Sequence, residues 1–176
     1  MDHHDHVELL RDGIEQQGGR WADFGSGTGA FTLALAELIG AGSTIYSLDR
    51  DGRALREQER QMRQGFPGVS VEYRTADFAR PLDLPPLDGA VMANALHFHR
   101  NKDAILQLLH GYLKPGGRFL LVEYNVDQGN MWVPHPLSYP TWEKLAGRNG
   151  FVGTRLIGRR PSRFLKEIYS AVSQKP

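Results

Sequence analysis

At 176 residues the chain is long enough to bury the core of one domain and too short for two substantial ones. Its 21 basic and 20 acidic side chains leave a net charge of +1, which gives no electrostatic reason to expect nucleic acid or a membrane surface as a partner. The absence of cysteine excludes disulfides, thiolate metal sites and a cysteine nucleophile. No apolar run approaches the length of a membrane span and the amino terminus does not resemble a signal peptide, so we expect a cytoplasmic protein.

Residues 5–17 carry apolar side chains at helical spacing, which predicts a short amphipathic helix capped by Asp2 or Asp5. Three histidines lie near the same terminus: His3, His4 and His6. They lack the ligand spacing of a zinc site, so we predict no metal.

Residues 21–31 form a short apolar run that includes Asp23 and breaks into alternating glycines before a helical pattern begins. This order predicts a strand, a tight turn and the start of a helix. Gly25 and Gly27 can adopt backbone conformations closed to other residues and let a ligand lie against the main chain. Gly29 is expected to allow close packing of the helix on the sheet. The free N–H groups of the helix start favour a carboxylate or phosphate, whereas Asp23 would attract an ammonium group.

The same turn allows a second interpretation. Its sequence from Gly25 to Ala30 also satisfies the looser fingerprint of dinucleotide-binding folds. A nicotinamide-dependent oxidoreductase therefore stays open as an alternative at this point.

Residues 43–48 are predicted to form a second strand that ends at Asp49. Asp49 follows Gly25 at close to the spacing of about 20 residues at which an acid accepts hydrogen bonds from ribose hydroxyls. Capping of the next helix, predicted over residues 52–64, is the alternative role, although Asp51 is available for it. The mixed charges on that helix indicate a solvated face.

Strands are also predicted over residues 69–73 and 87–93, the second apolar enough for a sheet covered on both faces. A helix is predicted over residues 104–113. A Leu-Lys-Pro-Gly-Gly turn at residues 113–117 then precedes a fifth strand over residues 119–123.

The Asp-x-Gly-x-Gly-x-Gly motif from Asp23 to Gly29 and the Leu-Lys-Pro-Gly-Gly turn resemble those of the class I S-adenosylmethionine-dependent methyltransferases, and the resemblance extends over nearly the whole chain. It implies an α/β fold: a doubly wound, seven-stranded, mostly parallel sheet with helices on both faces and an antiparallel last strand. It also implies a single methyltransferase domain over residues 1–176, in which residues 1–19 place a helix over the cofactor site and residues 124–140 form a candidate substrate loop.

The resemblance implies S-adenosylmethionine as cofactor. Asp23 and the turn amides would hold its methionine portion, Asp49 its ribose, and Asp77 with Phe78 its adenine, while residues 94–96 would flank the thioether. The full set of expected cofactor-binding residues is Asp23, Gly25, Ser26, Gly27, Gly29, Asp49, Arg50, Asp77, Phe78, Asn94, Ala95 and Leu96.

The carboxyl-terminal part leaves two questions open. Met131 and Trp132 lie in a long predicted loop, where they either line a substrate lid or fold back on the core. A helix is predicted to start after Ser138 and end at Asn149, before a sixth strand over residues 151–157. The apolar spacing of residues 162–172 fits a helix, whereas the resemblance implies an antiparallel strand. We predict a strand over residues 167–173, reached through a connector over residues 159–162.

The expected function is methyl transfer from S-adenosylmethionine to a small-molecule acceptor whose identity the sequence does not give. If the acceptor must lose a proton, four side chains near the predicted strand ends are candidate bases: His97, His99, His135 and Tyr124. The alternatives are a non-catalytic protein that binds S-adenosylmethionine and, from the glycine turn alone, an NAD(P)-dependent oxidoreductase. The oligomeric state is not predicted.

Overall fold

The computed structural model describes residues 1–176 as a seven-stranded sheet flanked by five α-helices. The strands are β1 Arg20–Phe24, β2 Thr44–Asp49, β3 Ser70–Thr75, β4 Leu87–Ala93, β5 Leu113–Tyr124, β6 Val152–Ser162 and β7 Lys166–Gln174. The helices are α1 His3–Arg11, α2 Ala30–Ile39, α3 Gly52–Gly65, α4 Lys102–Tyr112 and α5 Tyr139–Arg148. The strand order is β3-β2-β1-β4-β5-β7-β6, in which β7 runs antiparallel to both of its neighbours. The predicted fold class is confirmed.

The helices cover the two faces of the sheet. Because side chains alternate along a strand, Trp21 and Val91 pack with α1, α2 and α3, whereas Ala22, Ala90 and Met92 pack with α4 and α5. Both faces are apolar and buried, as a mostly parallel sheet requires. No helix is both long and apolar enough to span a lipid bilayer. No group of three or more His, Asp or Glu side chains has the arrangement of a metal site.

Helix α1 is shorter than the predicted span of residues 5–17. Asp2 and Asp5 form a reciprocal capping box that starts the helix at His3, and it ends at Arg11 with Asp12 as its carboxyl-terminal cap. The helix packs on α2 and β6, and Asp5 accepts a hydrogen bond from Arg160 at 2.9 Å. None of its side chains lines the cleft described below, and its predicted place over the cofactor stays a prediction.

Strand β5 begins at Leu113, earlier than predicted, because the Pro-Gly-Gly turn lies within it as a bulge. Leu113 pairs with Leu87, and the next paired residue of β5 is Arg118, opposite Gly89. The intervening residues 114–117 loop out without ending the strand.

The hairpin of β6 and β7 resolves the ambiguity near the carboxyl end in favour of a strand. β7 lies between β5 and β6, and residues 168–173 are buried on both faces. A strand covered on both faces lacks a polar alternation, which is why its apolar spacing also fits a helix. β6 extends to Ser162, so the predicted connector over residues 159–162 is wrong: these residues pair with β7.

Candidate active site

The glycine turn between β1 and α2 is bound to the end of β2. The N–H groups of Gly25 and Ser26 donate to the carbonyl of Leu48 at 2.8 and 3.1 Å. Gly25 has a φ of +76°, and a Cβ atom there would lie 2.6 Å from the Cβ atom of Ala95. Only glycine fits this position. Gly29, expected to bring the helix close to the sheet, instead makes room for the side chain of Gln58, which would lie 2.4 Å from an added Cβ.

A cleft of about 230 Å³ opens beside this turn, at the carboxyl ends of β1, β2 and β4. This is the switch point of the sheet, where the chain builds outward in both directions from β1 and β4 and where open α/β folds bind ligands. The cleft is lined by Gly25, Asp49, Arg50, Phe78, Asn94, Ala95, Phe98 and His99. Six of these eight residues are among the twelve expected from the sequence to bind cofactor.

A larger depression, about 410 Å³, lies at the opposite ends of the central strands, where β1, β4 and β5 begin. Its lining includes Gly18, Gly19 and the bulge of β5. Its lysine and arginine are already paired, Lys114 with Asp88 and Arg118 with Glu15. None of the predicted site residues lines it, so the smaller cleft is the candidate site.

Asp49 joins the end of β2 to the glycine turn. Its Oδ2 accepts a hydrogen bond from the N–H of Gly27 at 2.8 Å, and its Oδ1 accepts one from the N–H of Asp51 at 2.8 Å. Asp51, not Asp49, caps α3 through the N–H groups of Arg53 and Ala54. Asp49 lines the cleft, and each of its oxygens keeps accepting capacity, because a carboxylate has about four lone-pair sites.

Asp23 lies beneath the turn and does not line the cleft. Its side chain is 1 % exposed, and its Oδ2 accepts a hydrogen bond from the hydroxyl of Thr32 at 2.6 Å. Burial raises the pKa of Asp23 to about 7, and the negative charge of Asp49 adds to the rise. Ser26 is also buried, and its hydroxyl lies 2.7 Å from that of Ser47.

At the next strand end, Arg50 binds Asp77, with Nη2 2.6 Å from Oδ1. This hydrogen bond lowers the pKa of Asp77, whose carboxylate is turned to Arg50 and does not line the cleft. Phe78 does line it, and its ring centroid lies 5.0 Å from that of His99. Burial and, secondarily, the charge of Arg50 lower the pKa of His99.

The segment after β4 is held in a strained conformation at the edge of the cleft. Asn94 has a φ of +51°, uncommon for a residue with a side chain, and its buried Oδ1 has no hydrogen-bond partner. Leu96, expected to flank the thioether, is fully buried in the core, and its role at the cofactor stays a prediction.

His97 forms a buried pair with Glu123, a residue that is not among the site residues expected from the sequence. The Nδ1 of His97 lies 2.8 and 3.0 Å from the two carboxylate oxygens, and the side chains are 3 % and 0 % exposed. Glu123 also accepts from the backbone N–H groups of His97 and Tyr124. The ring of Phe98 is tilted against that of His97, with a centroid distance of 4.2 Å and an interplanar angle of 52°. Because the two partners are 26 residues apart, no local sequence pattern links them.

The loop of residues 125–138 is anchored at both ends and exposed in its middle. The N–H of His135 donates to the carbonyl of His97 at 3.0 Å, and Val133 and Leu137 are buried. Met131 and Trp132 are 88 % and 69 % exposed, so the interpretation that they fold back on the core is wrong. Whether the loop closes on a substrate stays a prediction.

The fold and the cleft define a doubly wound α/β protein with a ligand site at the glycine turn. A family model described as "Methyltransferase domain" matches residues 22–119, more than half of the chain. The chain therefore belongs to the methyltransferase domain family, and the resemblance seen in the sequence is confirmed.

Two comparisons are representative of the similar proteins. The ubiquinone/menaquinone biosynthesis C-methyltransferase UbiE of Teredinibacter turnerae is 32 % identical over 117 residues, which cover 65 % of this chain and 46 % of that protein. This chain thus spans about half the length of that curated relative. The solved structure of the YcgJ protein from Bacillus subtilis has a TM-score of 0.76 at 14 % identity and covers 98 % of both chains.

A second solved structure holds ligands. It is phosphoethanolamine N-methyltransferase 2 of Haemonchus contortus in complex with phosphomonomethylethanolamine and S-adenosylhomocysteine. Its TM-score is 0.76 at 17 % identity, covering 98 % of this chain and 52 % of that one. At this identity the match supports the fold.

Proposed function

We propose that the protein transfers a methyl group from S-adenosylmethionine to a small-molecule acceptor in the cytoplasm. The observation that carries the proposal is the cleft at the switch point, where the glycine turn meets the carboxylate of Asp49. Membership of the methyltransferase domain family supports it.

The residues around the cleft fit this cofactor. Asp49 has free accepting capacity for ribose hydroxyls, and Phe78 offers a ring face for adenine. The buried Oδ1 of Asn94 has no hydrogen-bond donor within the protein, and the ammonium group of the methionine portion would provide one. The carboxyl group of Asp23 beneath the turn would complement the same positive charge. Asp77 would reach the adenine amino group only beside Arg50, its present partner.

S-adenosylmethionine supplies an activated methyl group when it is bound, so the chain has little covalent chemistry to perform. Its residues have to orient the acceptor and exclude water. Phe98 at the cleft and Trp132 on the loop provide exposed apolar surface, 60 % and 69 % exposed, for an organic acceptor.

Among the four candidate bases, His97 has the geometry of an oriented base. Glu123 accepts the Nδ1 hydrogen, which leaves Nε2 free to take a proton from the acceptor. His99 lies beside Phe78 on the adenine side of the cleft, and neither Tyr124 nor His135 has a carboxylate partner for its side chain. Phe98, whose ring contacts that of His97, lines the cleft through which the acceptor would approach.

The first test is calorimetric titration with S-adenosylmethionine, S-adenosylhomocysteine and NADH. The proposal expects micromolar binding of both adenosyl compounds, about 8 kcal/mol, no binding of NADH, and loss of binding in Asp49→Ala. Urea unfolding of the variant controls for its fold, because Asp49 also supports the turn. Binding of NADH alone would overturn the proposal in favour of an oxidoreductase.

Turnover separates an enzyme from the non-catalytic alternative. The assay follows S-adenosylhomocysteine release from S-adenosylmethionine over a panel of phenols, amines, thiols and quinols. For an accepted substrate, His97→Gln should lower kcat by about 10²-fold or more and leave the Kd of S-adenosylhomocysteine unchanged. Unchanged kcat in this variant would remove His97 as the base.

A further inference from the structure

A continuous chain of buried polar side chains lies beneath the glycine turn, on the face of the sheet covered by α2 and α3. In order, its members are Ser26 of the turn, Ser47 of β2, Gln58 of α3, Thr32 of α2 and Asp23 of β1. Each is 9 % exposed or less, and each of the four links is 2.6 or 2.7 Å long. The chain therefore joins five separate segments directly below the candidate site.

The hydrogen bonds run in one direction. Ser47 donates its only hydroxyl hydrogen to Oε1 of Gln58, so the link between Ser26 and Ser47 must use the hydrogen of Ser26. Nε2 of Gln58 donates to Thr32, which donates to Asp23. Gln58 is thus the centre of the chain, and the carboxyl group of Asp23 is its terminal acceptor.

Asp23 is a buried carboxyl group without a positive partner. Thr32 of α2 is the one hydrogen-bond donor that lowers its pKa, and Asp49 of β2 is the one charged group that acts on it, by repulsion. The other chain members that face it from α3 and β2, Gln58 and Ser47, are uncharged. Such a group is stabilised as a carboxylate when a cation is bound nearby.

We propose that Gln58 is a positioning residue of the cofactor site. Through its two hydrogen bonds it keeps the Thr32 hydroxyl bonded to Asp23 and the Ser26 hydroxyl bonded to Ser47 of β2. With this arrangement in place, binding of the methionine ammonium group at the turn releases the proton of Asp23. This inference rests on the proposed function, because S-adenosylmethionine and S-adenosylhomocysteine carry that ammonium group. The proton passes from the carboxyl group to the buffer, and the bound cation takes over its neutralising role.

The position of Gln58 is fixed by packing as well as by hydrogen bonds. It is completely buried, although α3 is otherwise rich in charged side chains, and it occupies the space left by Gly29. A methionine at this position would keep the volume and remove both hydrogen bonds. Ser47 and Thr32 would then lose a partner each, and Ser26 would lose its fixed orientation.

The test is calorimetric titration at about pH 6 in two buffers of different ionisation enthalpy, which counts the protons released. S-adenosylhomocysteine is compared with methylthioadenosine, which lacks the amino-acid portion. For the wild type we expect release of about one proton with S-adenosylhomocysteine at about pH 6, little release at about pH 8.5, and none with methylthioadenosine. In Gln58→Met the affinity for S-adenosylhomocysteine should fall about tenfold, and the number of protons released on binding should differ from that of the wild type. The affinity for methylthioadenosine should stay unchanged.

A second pair of variants keeps the test decisive if Gln58→Met does not fold. Thr32→Val removes the hydroxyl that contacts Asp23, and Thr32→Ser retains it. We expect Thr32→Val to behave as Gln58→Met does and Thr32→Ser to behave as the wild type does. A merely structural role for the chain would change the unfolding free energy of these variants but not the proton count.

The outcomes separate the two proposals. If both ligands bind but the wild type releases no proton at about pH 6, or if Gln58→Met and Thr32→Val both bind S-adenosylhomocysteine as the wild type does, the inference is wrong and the proposed function stands. If neither ligand binds, both proposals are wrong.

Discussion

Replacement of Gly25 by alanine tests the construction of the glycine turn most directly. The new side chain must adopt the left-handed conformation at φ +76°, which costs about 1–2 kcal/mol. Its Cβ would also lie 2.6 Å from that of Ala95, and two Cβ atoms bound to the backbone cannot rotate apart. Overpacking of this kind costs about 1–3 kcal/mol more. We therefore expect Gly25→Ala to lower the free energy of unfolding by roughly 2–5 kcal/mol.

Gly27→Ala is the matched control. Gly27 also has a positive φ, +54°, but no atom lies within 4 Å of an added Cβ. This variant should lose only the conformational cost of about 1–2 kcal/mol. Urea unfolding followed by circular dichroism measures both values, provided that the m-value is unchanged.

A double-mutant cycle identifies the contact itself. Ala95→Gly removes the Cβ with which the new alanine at position 25 would collide. Gly25→Ala should therefore cost about 1–3 kcal/mol less in an Ala95→Gly background than in the wild type. Equal destabilisation by Gly25→Ala and Gly27→Ala, with no coupling to Ala95, would refute the steric argument.

Three further predictions concern the buried acid, the loop and the core. Because folding raises the pKa of Asp23 from 3.8 to about 7, the folded state binds more protons than the unfolded state between these pH values, and the free energy of unfolding falls as the pH rises through them. Asp23→Asn should remove this fall and be more stable than the wild type above about pH 8, by ~4 kcal/mol at most. Parallel curves of stability against pH for the two proteins would contradict this prediction. Trp132→Ala should change the unfolding free energy by less than about 0.5 kcal/mol but raise the KM for the acceptor. The exposed control Val152→Ala should change neither quantity. If Trp132→Ala and the wild type had equal KM values, the loop would have no part in acceptor binding. Trp142 is fully buried and its Nε1 has no hydrogen-bond partner. Trp142→Phe should therefore lower the free energy of unfolding by less than about 1 kcal/mol, and Trp142→Ala by about 3–5 kcal/mol. Equal losses for the two variants in urea unfolding would contradict this prediction.

The sequence predicts the parts of the fold that depend on local pattern. Apolar runs and glycine breaks located β1, β2 and β4, and most other helices and strands begin and end within about two residues of the predicted bounds. The resemblance contributed the antiparallel strand β7, which periodicity alone does not distinguish from a helix. The error at α1 arose because apolar spacing continued past the capping signals that end the helix at Arg11.

The parts of the site that escaped prediction depend on contacts between distant residues. A glutamine among the charged residues of α3 looks like a solvated side chain, and only the packing of α3 against Gly29 shows that Gln58 is buried. Glu123 is the next-to-last residue of β5, and nothing nearby in the sequence reveals its pairing with His97. Asp23 was recognised by its place in the motif, but its depth beneath the turn follows from the packing of Thr32 of α2 against it in the folded protein.

The interior position of β7 has a consequence for how the molecule is made. On the ribosome β6 is synthesised before β7, yet β7 is the strand that binds β6 to the rest of the sheet. Until Lys166–Gln174 has emerged, β5 presents an open edge, and the apolar residues that β7 will cover on either side are exposed to other chains. The growing protein therefore stays vulnerable to aggregation until β7 has been synthesised, and a chain cut before Lys166 would lose an interior strand of its sheet and not merely a margin.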